Sequence, residues 1–322
     1  MVVVGGGGLR PLPPTTTINN PYEAPQALRS TICLMKGVIN KMEQQEKKQA
    51  VVALLTDFGQ SDGYVGVMKG VILRIAPHAQ IVDITHDVAP QDIAAGAWTL
   101  ATCYRYFPHN TVFACVVDPG VGSRRLPIAL HAGDWYFVGP DNGLFHYVTA
   151  EQSVHAVVIL DQSDYHLSEV SSTFHGRDIF APVAASIAAG VALSQVGSPI
   201  TLAALQRLDI APLQREDGRV IAHVVHIDHF GNIITDIPLS LVPDLLERPG
   251  MQLLFPAQGI TITARRHTFA SPQEPALDKQ PFIYGDSSGH VAIAIRNDSA
   301  TRILSIRRGD SVILTTEGTE QK

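Results

Sequence analysis

The chain has 322 residues, 45% of them hydrophobic and 17% charged, with a formal net charge of −6. That length accommodates two domains, each with its own core, and the acidic balance offers no broad basic surface to neutralise phosphates, which argues against a nucleic-acid partner. No apolar run approaches the roughly 20 residues of a membrane-spanning helix. The 3 cysteines, Cys33, Cys103 and Cys115, are too few and too scattered for a disulfide framework or a zinc cluster, and a cytoplasmic setting is expected.

Residues 1–48 differ from the rest, with glycines at 5–8, Pro11, Pro13, Pro14 and three threonines, closed by a polar run from Glu43 to Lys48. The MVVV start is too short for a signal peptide. The segment reads as a disordered tail or as a start placed too early, since Met35 and Met42 lie nearer the first strand.

From Val51 the chain alternates. Val51 to Leu55 is a short apolar run typical of a buried strand. Val65, Met68, Ile72 and Ile75 then recur at helical spacing. Ile81 to Ile84 predicts a strand, Ile93, Ala97, Leu100 and Tyr104 a helix, and Thr111 to Val117 a third strand rich in β-branched residues. Strands follow between Pro127 and Ile159, with a helix over Asp178 to Ala189 that carries Pro182 in its first turns and Gly190 beyond its end. This is an α/β pattern: a mostly parallel sheet with covering helices over 49–212, whose ligands belong beyond the carboxyl ends of the strands. From Val220 the helices vanish. Six segments, Val220–Ile227, Asn232–Ile237, Met251–Phe255, Ile260–Ala264, His290–Ile295 and Ser311–Thr315, predict a smaller antiparallel β domain over 213–322. The linker is placed between Leu208 and Gly218, and the Pro-rich residues 265–281 read as an exposed insertion. There is no internal repeat.

Four segments carry candidate chemistry. In TDFGQSDGY, Thr56 to Tyr64, Asp57 and Asp62 share one loop after a strand; they either cap the loop or grip a pair of ribose hydroxyls. In VDPGVGSRR, Val117 to Arg125, the strand ends in Asp118 and a Pro-Gly turn follows, either an ordinary turn with a surface ion pair or a close approach of backbone to ligand. In STFHGRDIFAP, Ser172 to Pro182, His175 precedes a helix whose dipole favours its neutral form, suiting a base; a core or capping histidine is the alternative. In HIDHFGNIITDI, His226 to Ile237, Asp228, Phe230 and Asn232 surround a tight glycine turn, where an amide could pair with an adenine edge and a phenyl ring could stack on it.

Together with GPDNGLF at Gly139–Phe145, these segments resemble the S-adenosylmethionine hydroxide adenosyltransferases, or S-adenosylmethionine hydrolases, relatives of the bacterial fluorinase and chlorinase. The resemblance runs from about Ala50 to Leu314 and keeps the order of the motifs. It implies that Asp118, Arg125 and His175 are a water-activating triad. It implies that Asp57 holds the ribose hydroxyls, with Phe58 and Asp62 in the same substrate-binding loop. Phe174 and Phe230 match walls of the adenosine pocket, and Asp228 and Asn232 match methionine and adenine contacts from the second domain. Ser287 falls in GDSSGHVAIAI, which is similar to a methionine-binding segment, although His290 stands where a tyrosine is usual and the asparagine after the strand is replaced by Arg296 or shifted to Asn297.

The activity so implied is hydrolysis of S-adenosyl-L-methionine to adenosine and L-methionine, without cofactor or metal, by a homotrimer with sites between subunits. Water is the expected nucleophile rather than a halide, because Asp118 and His175 are present and Gly176 stands where the fluorinase has a serine. Two other readings are a metal-dependent hydrolase of a nucleoside-type substrate, drawing on some of His86, Asp87, Asp118, His175, Asp178, His226, Asp228 and His229, and a non-catalytic binder of S-adenosylmethionine or adenosine. No spacing among the former matches a recognised metal motif, and a pure binder has no need of the triad.

Overall fold

A computed structural model describes residues 49–216, 218–269 and 279–316. The expected tail, Cys33 and the middle of the expected insertion lie outside the described residues.

The first lobe is built from β1 (Val51–Thr56), α1 (Tyr64–Ile75), β2 (Gln80–Thr85), α2 (Ile93–Cys103), β3 (Val112–Val116), β4 (Pro127–Ala132), β5 (Trp135–Pro140), α3 (His146–Glu151), β6 (Val154–Ile159), α4 (Ala181–Ala188), α5 (Leu193–Val196) and β7 (Ser198–Pro199). They form one sheet in the order β2-β1-β3-β5-β4-β6-β7. The pairs β1–β2, β1–β3 and β3–β5 are parallel, while the β4–β5 hairpin and the pairings of β6 with β4 and β7 are antiparallel. Val52 to Leu55 and all of β3 are buried, as continuous apolar runs covered on both faces should be. One face packs on Met68, Ile72, Phe180 and Val183, the other on Ala97, Leu100, Tyr104 and Phe145. Val65, Met68 and Ile72 form the buried stripe of α1, whereas Ile75, expected to share it, is exposed in the last turn of the helix. Cys115 is buried and Cys103 half-buried.

The helix expected over Asp178 to Ala189 begins differently. Gly176–Phe180 is a π turn, and α-helical geometry starts only at Ala181. Pro182 has no N–H to give the carbonyl of Asp178; that carbonyl instead accepts from the amide of Leu167 at 2.9 Å.

The second lobe comprises β8 (Gln214–Glu216), β9 (Arg219–Ile227), β10 (Ile233–Pro238), β11 (Met251–Phe255), β12 (Ile260–Ile262), β13 (Pro281–Gly285), β14 (His290–Ile295), α6 (Ala300–Leu304) and β15 (Ser311–Thr316). Its antiparallel sheet runs β12-β11-β15-β9-β10-β14-β13, with β8 beside β9. The chain beyond β12 returns to β13: Ile283 donates to the carbonyl of Ala264, and Arg266 donates to that of Ile283. The sheet thus curls into a barrel, which removes its edges. Three expectations are corrected here. The linker region contains β8, the start of the insertion is the strap that closes the barrel, and the second lobe is not free of helix, since α6 follows β14.

The lobes meet on α2. Asp92 caps it, accepting from the Ala95 amide at 2.9 Å, and its other oxygen pairs with Arg308 at 2.5 Å. Trp98 is buried against Ile234, Phe282, Tyr284, Ala292 and Ala294 of the barrel, and its ring meets His290 edge-on at 4.8 Å.

Candidate active site

The segment after β3 delivers Asp118 where parallel sheets place ligand-facing groups. Arg125 grips its carboxylate with both arms: Nε donates to Oδ1 at 2.9 Å and to Oδ2 at 3.1 Å, and Nη2 to Oδ2 at 2.5 Å. Both side chains are nearly buried, at 5% and 9% exposure. The turn between them requires glycine at Gly122. With φ +75 it lies in the left-handed region, and a Cβ there would stand 2.4 Å from the carbonyl oxygen of Ser172. Gly122 therefore lets this turn touch the segment that carries His175. Asn142 of GPDNGLF locks the same strand end, donating from Nδ2 to the carbonyl of Val117 at 2.8 Å.

His175 opens the π turn, and its Nδ1 receives Arg125 Nη2 at 2.7 Å. A guanidinium can only donate, so Nδ1 is the acceptor and the neutral ring carries its proton on Nε2. Burial, and then the charge of Arg125, hold the pKa of His175 below the ordinary histidine value; Asp118, Asp178 and the Ser171 carbonyl pull the other way without cancelling them. The guanidinium also lies 5.3 Å from the Phe180 ring centre.

A buried residue supports this segment. Asp178 is fully buried; its Oδ2 accepts the Ser171 amide at 2.8 Å and its Oδ1 accepts Arg177 Nε at 2.6 Å. Ser171 Oγ in turn accepts the amide of Phe174 at 3.0 Å. Burial alone would raise the pKa of Asp178, but Arg177 and Ser171 outweigh it and keep it below the usual carboxylate range. Sequence reading took Asp178 only as a helix start or metal ligand. The cue to its positioning role was Pro182, which bars the residues before it from an ordinary helix.

Asp57 follows β1, and its Oδ2 accepts the Gln91 amide at 2.8 Å, leaving Oδ1 for a ligand. Phe58 and Phe174 meet edge to face at 5.7 Å, and Tyr64 joins them at 6.1 and 5.2 Å. A Cβ on Gly176 would stand 3.3 Å from both phenyl rings, so glycine lets the aromatic trio close over the turn beside His175. Asp62 is exposed in the loop before α1.

The remaining expected residues gather elsewhere. Asp228 Oδ1 accepts the amides of Phe230 and Asn232 at 2.9 and 2.8 Å, and its Oδ2 accepts Asn232 Nδ2 at 2.7 Å. The carboxylate thus fixes the Asn232 amide, whose Oδ1 stays available, and leaves Phe230 75% exposed at the tip. These three residues line a cleft of about 690 Å³ with Ser287, His226, Tyr284 and the α2 residues Trp98 and Thr99. Phe269 lines it too, held against Phe282 and Tyr284 at 5.9 and 5.1 Å. Sequence reading missed Phe269 because it sits in a polar, Pro-rich stretch. Asn297 borders the adjoining hollow together with Phe230, Asn232 and Phe269, which favours the shifted asparagine over Arg296. None of Asp57, Phe58, Asp118, Arg125, Phe174 or His175 lines this cleft. Within one chain the candidate residues therefore form two clusters, one per lobe. The His and Asp residues of the metal-dependent reading do not converge: among the described residues no three His, Cys, Asp or Glu side chains are grouped to hold an ion.

A parallel-sheet lobe with a hydrogen-bonded Asp–Arg–His trio, joined to a barrel lobe with an amide and aromatic cleft, defines a two-lobed α/β protein. The chain belongs to the SAM hydroxide adenosyltransferase family: residues 52–197 match its N-terminal domain and residues 222–313 its C-terminal domain. It is 38% identical over 265 residues to the (R)-S-adenosyl-L-methionine hydrolase of Salinispora tropica, covering 82% of this chain and 97% of that one. It is 33% identical over 270 residues to the enzyme of the same name from Thermus thermophilus, covering 82% and 98%. The crystal structure of an uncharacterized conserved protein from Thermotoga maritima superposes with a TM-score of 0.75 at 34% identity, over 82% of this chain and 99% of that one.

Proposed function

We propose that the protein is an enzyme that hydrolyses S-adenosyl-L-methionine to adenosine and L-methionine, with the (R) sulfonium epimer named in its hydrolase relatives as substrate. The observation that carries this reading is the hydrogen-bonded Asp118–Arg125–His175 trio beyond β3. Displacement at ribose C5′ releases a neutral thioether from a sulfonium, so the leaving group needs no acid. The difficulty lies in the water. Because His175 Nδ1 is engaged by Arg125, Asp118 is the proton acceptor, while the Nε2–H of His175 and the charge of Arg125 orient and stabilise the forming hydroxide. Asp57 binds the ribose hydroxyls with Phe58 and Asp62 beside it, and Phe174 walls the adenosine pocket. Asp228, Phe230, Asn232 and Ser287 hold the adenine and methionine parts.

The second cluster reaches the first from a neighbouring subunit in a homotrimer. Two exposed surfaces support this. On the outside of α1, Tyr64, Val67 and Leu73 are 50%, 44% and 45% exposed, and a Cβ on Gly63, Gly66 or Gly70 would meet nothing within 4 Å. Phe230 stands out from the barrel. A soluble cytoplasmic enzyme fits the sparse cysteines and the lack, among the described residues, of any helix long and apolar enough to cross a membrane.

Incubation of each sulfonium epimer in oxygen-18 water tests the reaction. Adenosine labelled at the 5′-hydroxyl and free L-methionine are expected, with the (R) epimer consumed faster. Methylthioadenosine, unlabelled adenosine or no turnover would overturn the reading.

A further inference from the structure

His86 is a buried ionisable side chain that this reaction leaves unused, 1% exposed just beyond β2. Its place follows from topology. β1 and β2 are adjacent parallel strands, with Leu55 opposite Thr85, so Thr56 and His86 leave the sheet side by side. Thr56 Oγ1 lies 2.9 Å from His86 Nδ1 and accepts the Phe58 amide at 3.3 Å. Thr56 is completely buried, so its hydroxyl has no water to turn to, and leaving it unpaired costs far more than an exposed hydroxyl would. A hydroxyl that accepts from Phe58 is free to donate to Nδ1, which places the ring proton on Nε2. Nε2 stands 3.1 Å from Asp83 Oδ1, poorly aligned for a hydrogen bond, so that contact is chiefly electrostatic. Asp83 is itself held by Lys69 at 2.6 Å.

The backbone adds two further ties between the same loops. The Gly59 amide donates to the carbonyl of His86 at 2.8 Å, and the Gln91 amide donates to Asp57 Oδ2 at 2.8 Å. The loop after β2 therefore grips the loop after β1 on both sides of Asp57 and at the carboxylate itself. We infer that His86 is a positioning residue: through Thr56 it fixes the exit of β1, so that Asp57 keeps one oxygen on the Gln91 amide and presents the other to a ribose diol. This rests on the ribose-binding role proposed above for Asp57. A histidine that merely filled the core would affect stability but not the ability to tell a ribose from a deoxyribose.

Inhibition by adenosine and by 2′-deoxyadenosine separates the two. The wild type should prefer adenosine by about tenfold or more, the worth of one well-formed hydrogen bond to a charged group. His86→Ala should cut that preference to about threefold; Thr56→Val, which also removes the acceptor of the Phe58 amide, should cut it at least as far, and the double variant no further than Thr56→Val, because the His86 link runs through Thr56. His86→Asn, whose amide oxygen can take the Thr56 hydroxyl, should restore it; with the isosteric Thr56→Val it carries the test should His86→Ala fail to fold. If Asp57→Asn loses the preference while His86→Ala and Thr56→Val keep it, the positioning role is wrong and the ribose role stands. If the wild type shows no preference, or Asp57→Asn retains it, both fall together.

Discussion

At the scale of single residues, the division of labour within the trio is set by what each group can donate. Arg125 takes the one lone pair of His175 Nδ1, whereas the carboxylate of Asp118 keeps acceptor capacity beyond its three bonds to Arg125, so the two partners are not equivalent bases. Asp118→Asn keeps the shape but loses the proton acceptor, and kcat should fall about 100-fold or more, within the span of general-base effects. His175→Ala removes an orienting donor and should cost about tenfold, with KM little changed in both. Steady-state kinetics on the two variants checks the order; an equal loss would return His175 to the role of base. The sign of the pH dependence follows from the lowered pKa of His175. The neutral ring predominates above that value, and protonation removes the acceptor for Arg125 and sets two cations side by side. The wild-type kcat/KM should be flat near pH 7 and fall on an acid limb with an apparent pKa below about 6.5, a limb absent from His175→Gln.

At the scale of elements, the site depends on a π turn and a glycine contact as much as on its side chains. Asp178→Ala would leave the Ser171 amide buried without its acceptor, at a cost of about 1–3 kcal/mol, seen as a lower midpoint in urea. Because the folded pKa of Asp178 lies below its unfolded value, its contribution is complete above about pH 4 and is lost as acidification passes the folded value. The gap between wild type and variant should therefore narrow in acid. Gly122→Ala forces a Cβ toward the Ser172 carbonyl in a left-handed conformation, so it should part the Asp118 turn from His175 and abolish turnover even where circular dichroism shows a folded chain. The elements legible in the sequence were those with a strong apolar pattern: the buried runs of β1 and β3, the stripe of α1, the apolar runs of β10 and β14. The π turn was hidden because helical spacing looks alike whether the first turn closes on four residues or five. β13 follows a polar, Pro-rich stretch, and α6 is five residues long, too short for a periodic signal.

At the scale of the whole molecule, the motifs supplied candidate site residues, but their spacing alone did not show that one chain gathers them in two separate clusters. Sequence order says nothing of which surface a loop reaches. Asp118 and Asp228 both follow strands, yet one is joined to Arg125 and His175 on the sheet lobe and the other lines the cleft beside α2. If the active unit is a ring in which each subunit lends its barrel cluster to the next one's sheet lobe, defects in the two clusters complement each other. Asp118→Asn disables the first cluster. Phe230→Asp disables the second, at a residue exposed enough that folding is spared. Each variant alone should be nearly inactive. Mixed in equal amounts and allowed to exchange subunits, they should recover about a quarter of wild-type activity, because a site works only when its sheet half comes from the Phe230→Asp chain and its barrel half from the Asp118→Asn chain. A mixture no more active than its components, with exchange verified by mass spectrometry, would mean that each chain closes its own site and that the two clusters must meet by movement of the lobes on α2.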